Sequence, residues 1–168
     1  MKKPNKVYIL GTSGSGKSFL GKILSKQLGI THYDKDDIYF LRKFDKKRSK
    51  AGMIKKVKEL AKKRKWIFDG NGGISNKDLM KDADLVIWLQ TSFRVRSYRI
   101  LKRYLTRTGE HKEETLKYCL KLIKDSGRYK YGKGPHHYKG HEAFLKDNKI
   151  EYVVVRDEEE LREVIEGL

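Results

Sequence analysis

Apolar residues along this chain are bunched into short solid runs, and between the runs they recur every three or four positions. Residues 6–10 (KVYIL), 85–89 (LVIWL) and 152–155 (YVVV) are apolar almost throughout, and 66–68 is a shorter run closed by Asp69-Gly70-Asn71. Residues 31–33 read as a further short strand ended by Asp34. Runs without polar alternation belong to strands covered on both faces. From Lys17 onward Leu20, Ile23, Leu24 and Leu28 keep helical spacing until Gly29 stops them. Met53, Ile54, Val57, Leu60 and Ala61 make a second helical stripe within 50–64, and further helices are predicted at about 93–107 and 111–125. Residues 127–141, rich in Gly, Tyr and His, read as a loop, and a last helix starts near Asp157, whose side chain caps it beside Glu158, Glu159 and Glu160. Strands alternating with helices predict one three-layer α/β domain, a five-stranded parallel sheet with helices on both faces. Ligands of such sheets lie beyond the carboxyl ends of the strands, here Gly11, Asp34, Asp69, Gln90 and Arg156.

The first of those ends carries the clearest chemistry. Gly11-Thr12-Ser13-Gly14-Ser15-Gly16-Lys17-Ser18 fits G-x-x-x-x-G-K-[ST], directly between a strand run and an amphipathic helix. Glycines let such a loop curl so that successive N–H groups face phosphate oxygens, and the helix turns its positive end toward them. Lys17 is then expected to reach the terminal phosphates and the Ser18 hydroxyl to bind Mg²⁺, with Phe19 next to them on the helix.

Charge adds a second theme. The 168 residues hold 40 Lys plus Arg against 22 Asp plus Glu, a net +18. Residues 42–65 alone are net +11 and 94–139 net +10, whereas 151–168 are net −5. Abundant Lys and Glu with two Gln suit an ion-paired surface of the hyperthermophile kind, but the one-sided balance points to polyanions, nucleotide phosphates or nucleic acid. No run reaches 18 apolar residues, which excludes a membrane-spanning helix, and a single cysteine, Cys119, excludes an internal disulfide or a Cys-based zinc cage. With no secretory pattern at the amino end, a cytoplasmic protein is expected.

No N/T-K-x-D base-reading motif of a GTPase is present; Gln90-Thr91-Ser92-Phe93 follows LVIWL instead. The phosphate loop, Tyr33-Asp34, the run Trp66-Ile67-Phe68-Asp69-Gly70-Asn71, the strand 85–89 and the arginine-bearing helix after it resemble the adenylate-kinase-related P-loop kinases. Within them the sequence is most similar to the FlaR-like or "DNA topology modulation protein" branch. The resemblance implies a nucleoside-monophosphate-kinase-like P-loop NTPase fold with a helical lid, ATP or GTP with Mg²⁺, and phosphoryl transfer to a small, nucleotide or nucleoside acceptor. It places an acceptor-binding region at 34–65 and a lid at about 103–141. It also gives Asp69 the task of orienting Mg²⁺ through water, against the alternative of a turn-forming Asp before Gly. Asp34 or Asp36 would touch metal and acceptor hydroxyl, with Asp34 favoured because it ends the strand; either can instead cap the next helix.

Among Arg94, Arg96, Arg99, Arg103 and Arg107, the spacing sets Arg99 and Arg103 on one helical face. In the family this chain resembles, this helix and the lid after it supply guanidinium forks to the transferring phosphoryl group, so Arg103 and Arg107, then Arg99, are the candidates, against a solvated basic face. Asn71-Gly72-Gly73 stands where nucleoside monophosphate kinases usually carry an Arg, which leaves the acceptor open. The +11 segment suggests an anionic one, held by Arg42 and Arg48. His136, His137 and His141 are a lid loop or a zinc site; Tyr129, Tyr131 and Tyr138, interleaved with basic residues, either stack on bases or pack the lid. A nucleic-acid-associated protein that switches on ATP binding is the competing reading.

Overall fold

The computed structural model describes residues 3–42, 46–72, 77–106 and 115–168. In chain order the elements begin with β1 (Lys6–Leu10), α1 (Lys17–Leu28), β2 (His32–Asp34), α2 (Lys35–Tyr39), β3 (Phe40–Arg42), β4 (Lys46–Lys47), α3 (Lys50–Ala61) and β5 (Trp66–Gly70). They continue with α4 (Lys77–Lys81), β6 (Leu85–Leu89), α5 (Phe93–Thr106), α6 (Leu116–Arg128), α7 (Tyr138–Asp147), β7 (Tyr152–Val155) and α8 (Glu158–Glu166).

The four apolar runs and the short strand at 32–34 form one parallel sheet in the order β2-β5-β1-β6-β7, so the fold class read from the pattern is the observed one. The solid runs are explained by the two faces. Tyr8, Leu10, Trp66, Phe68 and Trp88 point into one apolar layer with Val57, Leu60, Leu79 and Leu145. Val7, Ile9, Ile67 and Ile87 point into the other with Leu20 and Leu24 of α1. Each buried large side chain is worth about 1.5–3 kcal/mol, and with apolar partners on both sides neither face tolerates polar alternation. β1 lies at the centre, which sets the phosphate loop at the middle of the sheet's carboxyl edge.

Three boundaries differ from the expectations. β5 runs two residues further, because Asp69 and Gly70 pair with Ile9 and Leu10 of β1; Asp69 therefore lies inside a strand rather than in the turn after it. The segment 127–141 is not a loop throughout. α6 extends to Arg128, and α7 starts at Tyr138 because His141 and Leu145, four apart, face the core at 2% and 0% exposure. Only the stretch around Gly134 (φ 117°) and Pro135 breaks the helices. A two-stranded antiparallel sheet, β3 with β4, also inserts before α3 where no strand was expected. No described helix is long and apolar enough to cross a membrane.

Candidate active site

The phosphate loop leaves the end of β1 and enters α1 at Gly16, whose φ of 98° only glycine adopts freely and which provides no side-chain cap. The first N–H groups of α1 are thus left for an incoming group. Gly14 (φ 78°) is held equally strictly: a Cβ there would sit 2.6 Å from the Arg96 carbonyl oxygen of α5. Lys17 Nζ donates to the Thr12 carbonyl at 2.9 Å, folding back across the loop. Burial pushes the Lys17 ammonium below its ordinary value, and Asp69, Asp34 and Asp36 work in the opposite direction. The Ser15 hydroxyl is buried beneath the loop with no hydrogen-bond partner.

Lys17, Ser18, Asp34, Asp36, Asp69 and Arg103 open onto one cleft of about 520 Å³. Asp34 and Asp69 are register partners at the ends of β2 and β5, which brings together two carboxylates 35 residues apart. Asp34 Oδ1 also accepts from the Asp36 N–H at 2.8 Å as the cap of α2, so the helix-capping alternative holds for one of its oxygens. Asp69 Oδ2 sits 2.8 Å from His32 Nε2. Oxygen ligands dominate here, the Ser18 hydroxyl with the Asp34 and Asp69 carboxylates, and they suit Mg²⁺. Among the described residues no three His, Cys, Asp or Glu side chains converge on an ion by themselves.

A second cavity of about 920 Å³ adjoins the loop through Ser15, Gly16 and Arg99 and is walled by Phe19, Ile23, Val95 and Leu161 from α1, α5 and α8. Phe19 borders both cavities with its ring 63% exposed. Arg99 stands between them, donating to the Ser15 carbonyl at 3.3 Å and lying 3.8 Å from Glu158.

A phosphate-type loop, two carboxylates at neighbouring strand ends and arginines from the next helix, on this strand order, settle the architecture. The fold is that of the P-loop kinases. The shikimate kinase of Acinetobacter baumannii, solved in complex with shikimate, superposes with a TM-score of 0.60, covering 99% of this chain and 90% of that one at 16% identity. By sequence, the chain is 40% identical over 104 residues to the uncharacterized protein YqaC of Bacillus subtilis (strain 168), a stretch of 61% of this chain and 58% of that protein. It is 29% identical over 113 residues to a shikimate kinase of Psychrobacter arcticus, 57% of this chain and 59% of the enzyme. The chain thus spans about three-fifths of the length of these relatives. No family model matches it.

The P-loop kinase fold draws most of the candidate residues together, but not all. Gly11 to Phe19 form the loop and the first turn of α1, and Arg99 and Arg103 both line the cleft. Arg107, Gly73 and the side chain of Arg42 lie outside the described residues. Arg96 is buried and occupied: its guanidinium donates to the Ser126 hydroxyl and carbonyl, both at 2.8 Å, and to the Thr91 carbonyl. It ties α5 to α6 behind the loop.

Arg48, expected to hold an acceptor phosphate, instead donates to the carbonyls of Ile38 and Phe40 at 3.0 and 3.2 Å, closing the end of α2. Of the three tyrosines offered for base stacking, Tyr129 is buried and Tyr138 packs on Trp88 at 4.8 Å, leaving only Tyr131 exposed at 82%. His141, read as part of a loop, is a core residue. Its Nδ1 lies 2.8 Å from the Tyr129 hydroxyl and its Nε2 2.9 Å from the Asn71 carbonyl. Sequence reasoning missed His32, Lys35 and Asn71 in the cleft; Asn71 was visible only as part of the Asp-Gly-Asn run, and nothing local marks the other two.

Proposed function

We propose that the chain is an ATP-dependent small-molecule kinase that moves the γ-phosphoryl group to a hydroxyl of a small acceptor. The observation that carries the reading is the convergence of Lys17, Ser18, Asp34, Asp36, Asp69 and Arg103 on one cleft beside an apolar cavity. The loop amides and Lys17 hold the phosphates, and bound phosphate replaces the Thr12 carbonyl as the partner of Lys17. Ser18, with Asp34 and Asp69, would hold Mg²⁺, which would neutralise phosphate charge during transfer. The apolar cavity takes the base, with Phe19 and Val95 against its faces. Arg99 and Arg103 stabilise charge on the transferring group, and a carboxylate of the Asp34–Asp36 pair accepts the acceptor's hydroxyl proton. Within the lid expected at about 103–141, Ser126, Tyr129 and His141 are held by hydrogen bonds to Arg96, Trp88 and the Asn71 carbonyl.

The test is ADP formation from Mg-ATP, alone and with nucleosides, nucleoside monophosphates, hydroxylated acids and nucleic acid. A rise of about tenfold or more with one small acceptor, lost in Lys17→Ala, is expected, since positioning of both substrates dominates phosphoryl transfer. Slow ADP formation unmoved by every small acceptor overturns the kinase, and a rise with DNA or RNA alone puts a nucleic-acid switch in its place.

A further inference from the structure

Resting on that kinase reading, we propose that Lys35 is the anchor for the acceptor, that the acceptor bears an oxyanion, and that a buried hydrogen-bond chain starting at Trp88 holds Lys35 in place. Lys35 is the first residue of α2, between the carboxylates of Asp34 and Asp36, and it lines the cleft. Its ammonium has two fixed neutral supports: Asn71 Oδ1 at 2.5 Å and the face of Tyr39 at 4.5 Å. An ammonium whose hydrogen-bond and ring partners are both neutral gains a charge-assisted bond when an anion arrives. Of the other cations lining the cleft, Lys17 and Arg99 already bond the phosphate loop.

The support beneath Lys35 has a defined direction. Trp88 Nε1–H can only donate, and it donates to the Tyr129 oxygen at 3.0 Å. The Tyr129 hydroxyl therefore spends its own hydrogen on His141 Nδ1, and His141 carries its proton on Nε2, which donates to the Asn71 carbonyl. Each donor in the chain has one acceptor, with none left over. Gly72 makes the last link possible: at φ 66° it leaves open the space where a Cβ would lie 2.6 Å from His141 Nε2. The carbonyl of Asn71 is thus pinned to the sheet core and its side chain is presented to Lys35.

Acceptors offering the same hydroxyl with and without the anion test this: a hydroxy acid against its primary amide, and a nucleoside monophosphate against its nucleoside. One acidic member should have a KM about tenfold or more below that of its neutral partner, the worth of a charge-assisted hydrogen bond. Lys35→Met should bring the pair to parity and Lys35→Arg should restore part of the preference; a preference retained in Lys35→Met overturns the assignment whatever the absolute rates. The two pairs separate a carboxylate from a phosphate.

If no acceptor raises ADP formation, the kinase reading has failed, and the anion site is decided by binding instead. Inorganic phosphate or malonate is titrated into the protein with Mg²⁺ and a non-hydrolysable ATP analogue filling the phosphate loop, while the Asn71 side-chain amide resonance is followed. Saturable movement that is lost in Lys35→Met supports the site, and no movement, or equal movement in the variant, overturns it. In Tyr129→Phe the anion should bind more weakly by about threefold or more, as expected when a positioning bond is lost; unchanged affinity overturns the role of the chain behind Asn71.

Discussion

Tyr129→Phe removes one oxygen from the middle of the buried chain and little else. The ring stays the same size, so its edge contact with Tyr138 (6.4 Å) and the approach of the Arg96 guanidinium (5.9 Å) persist. What changes is that Trp88 Nε1–H and His141 Nδ1 both lose their partner in a region where Trp88 and His141 are 0% and 2% exposed. An unsatisfied buried donor or acceptor costs about 1–3 kcal/mol, so the pair comes to about 2–6 kcal/mol. For a chain of this length about 1 kcal/mol moves Tm by roughly 2–4 °C, which puts the expected drop at about 4–24 °C. Differential scanning calorimetry reads the shift directly, and Trp88 emission should change with it because its indole N–H is released. A drop below about 2 °C would refute the reasoning: it would mean that the hydroxyl bridges nothing of consequence or that water takes its place.

Acid stability follows from the same chain. Burial holds His141 at about 4, below its ordinary 6.5, so the unfolded chain takes up a proton that the folded one refuses. Stability should therefore fall by about 3 kcal/mol as pH drops from about 6.5 to about 4 and stop falling from this source below that; urea titrations across the range check it, and a flat profile counts against a neutral His141. Mg-ATP at about a hundred times its Kd should stabilise the protein by about 2.7 kcal/mol, and this gain should vanish in Lys17→Ala. Gly14→Ala, with a Cβ 2.6 Å from the Arg96 carbonyl at a left-handed φ, should cost about 1–3 kcal/mol in Tm measurements and weaken nucleotide binding with it. Arg48→Met should destabilise by about 1–3 kcal/mol, through the uncapped carbonyls of Ile38 and Phe40, while the KM of an acidic acceptor changes less than twofold; a large KM effect with no loss of stability would return Arg48 to the acceptor site.

Much of the scaffold was readable in the pattern, and the reasons are local. A parallel sheet buried on both faces demands solid apolar runs, so the strands 6–10, 85–89 and 152–155 carried their own signature. The phosphate loop is equally local, because the requirement for a curled backbone, a helix start and a lysine is met within eight consecutive residues. Helix α7 was missed because its stripe is short and polar at the key position: His141 reads as surface until Trp88, Tyr129 and Asn71 are known to surround it. Arg48 looked like a phosphate ligand because a guanidinium has five donors wherever it lies; the carbonyls of Ile38 and Phe40 took them first.

The amino-acid sequence by itself determined the layer architecture and the glycine-rich loop at the end of β1, since both are written in neighbouring residues through burial periodicity and glycine geometry. Only the tertiary structure decided which polar groups stand over the cleft. The pairings of Asp34 with Asp69, of Lys35 with Asn71 and of His141 with the Asn71 carbonyl span 35, 36 and 70 residues. No local spacing rule reaches so far. Which charged side chain is free to meet a ligand, and which is consumed by a carbonyl, depends on what the fold places within about 3 Å of it.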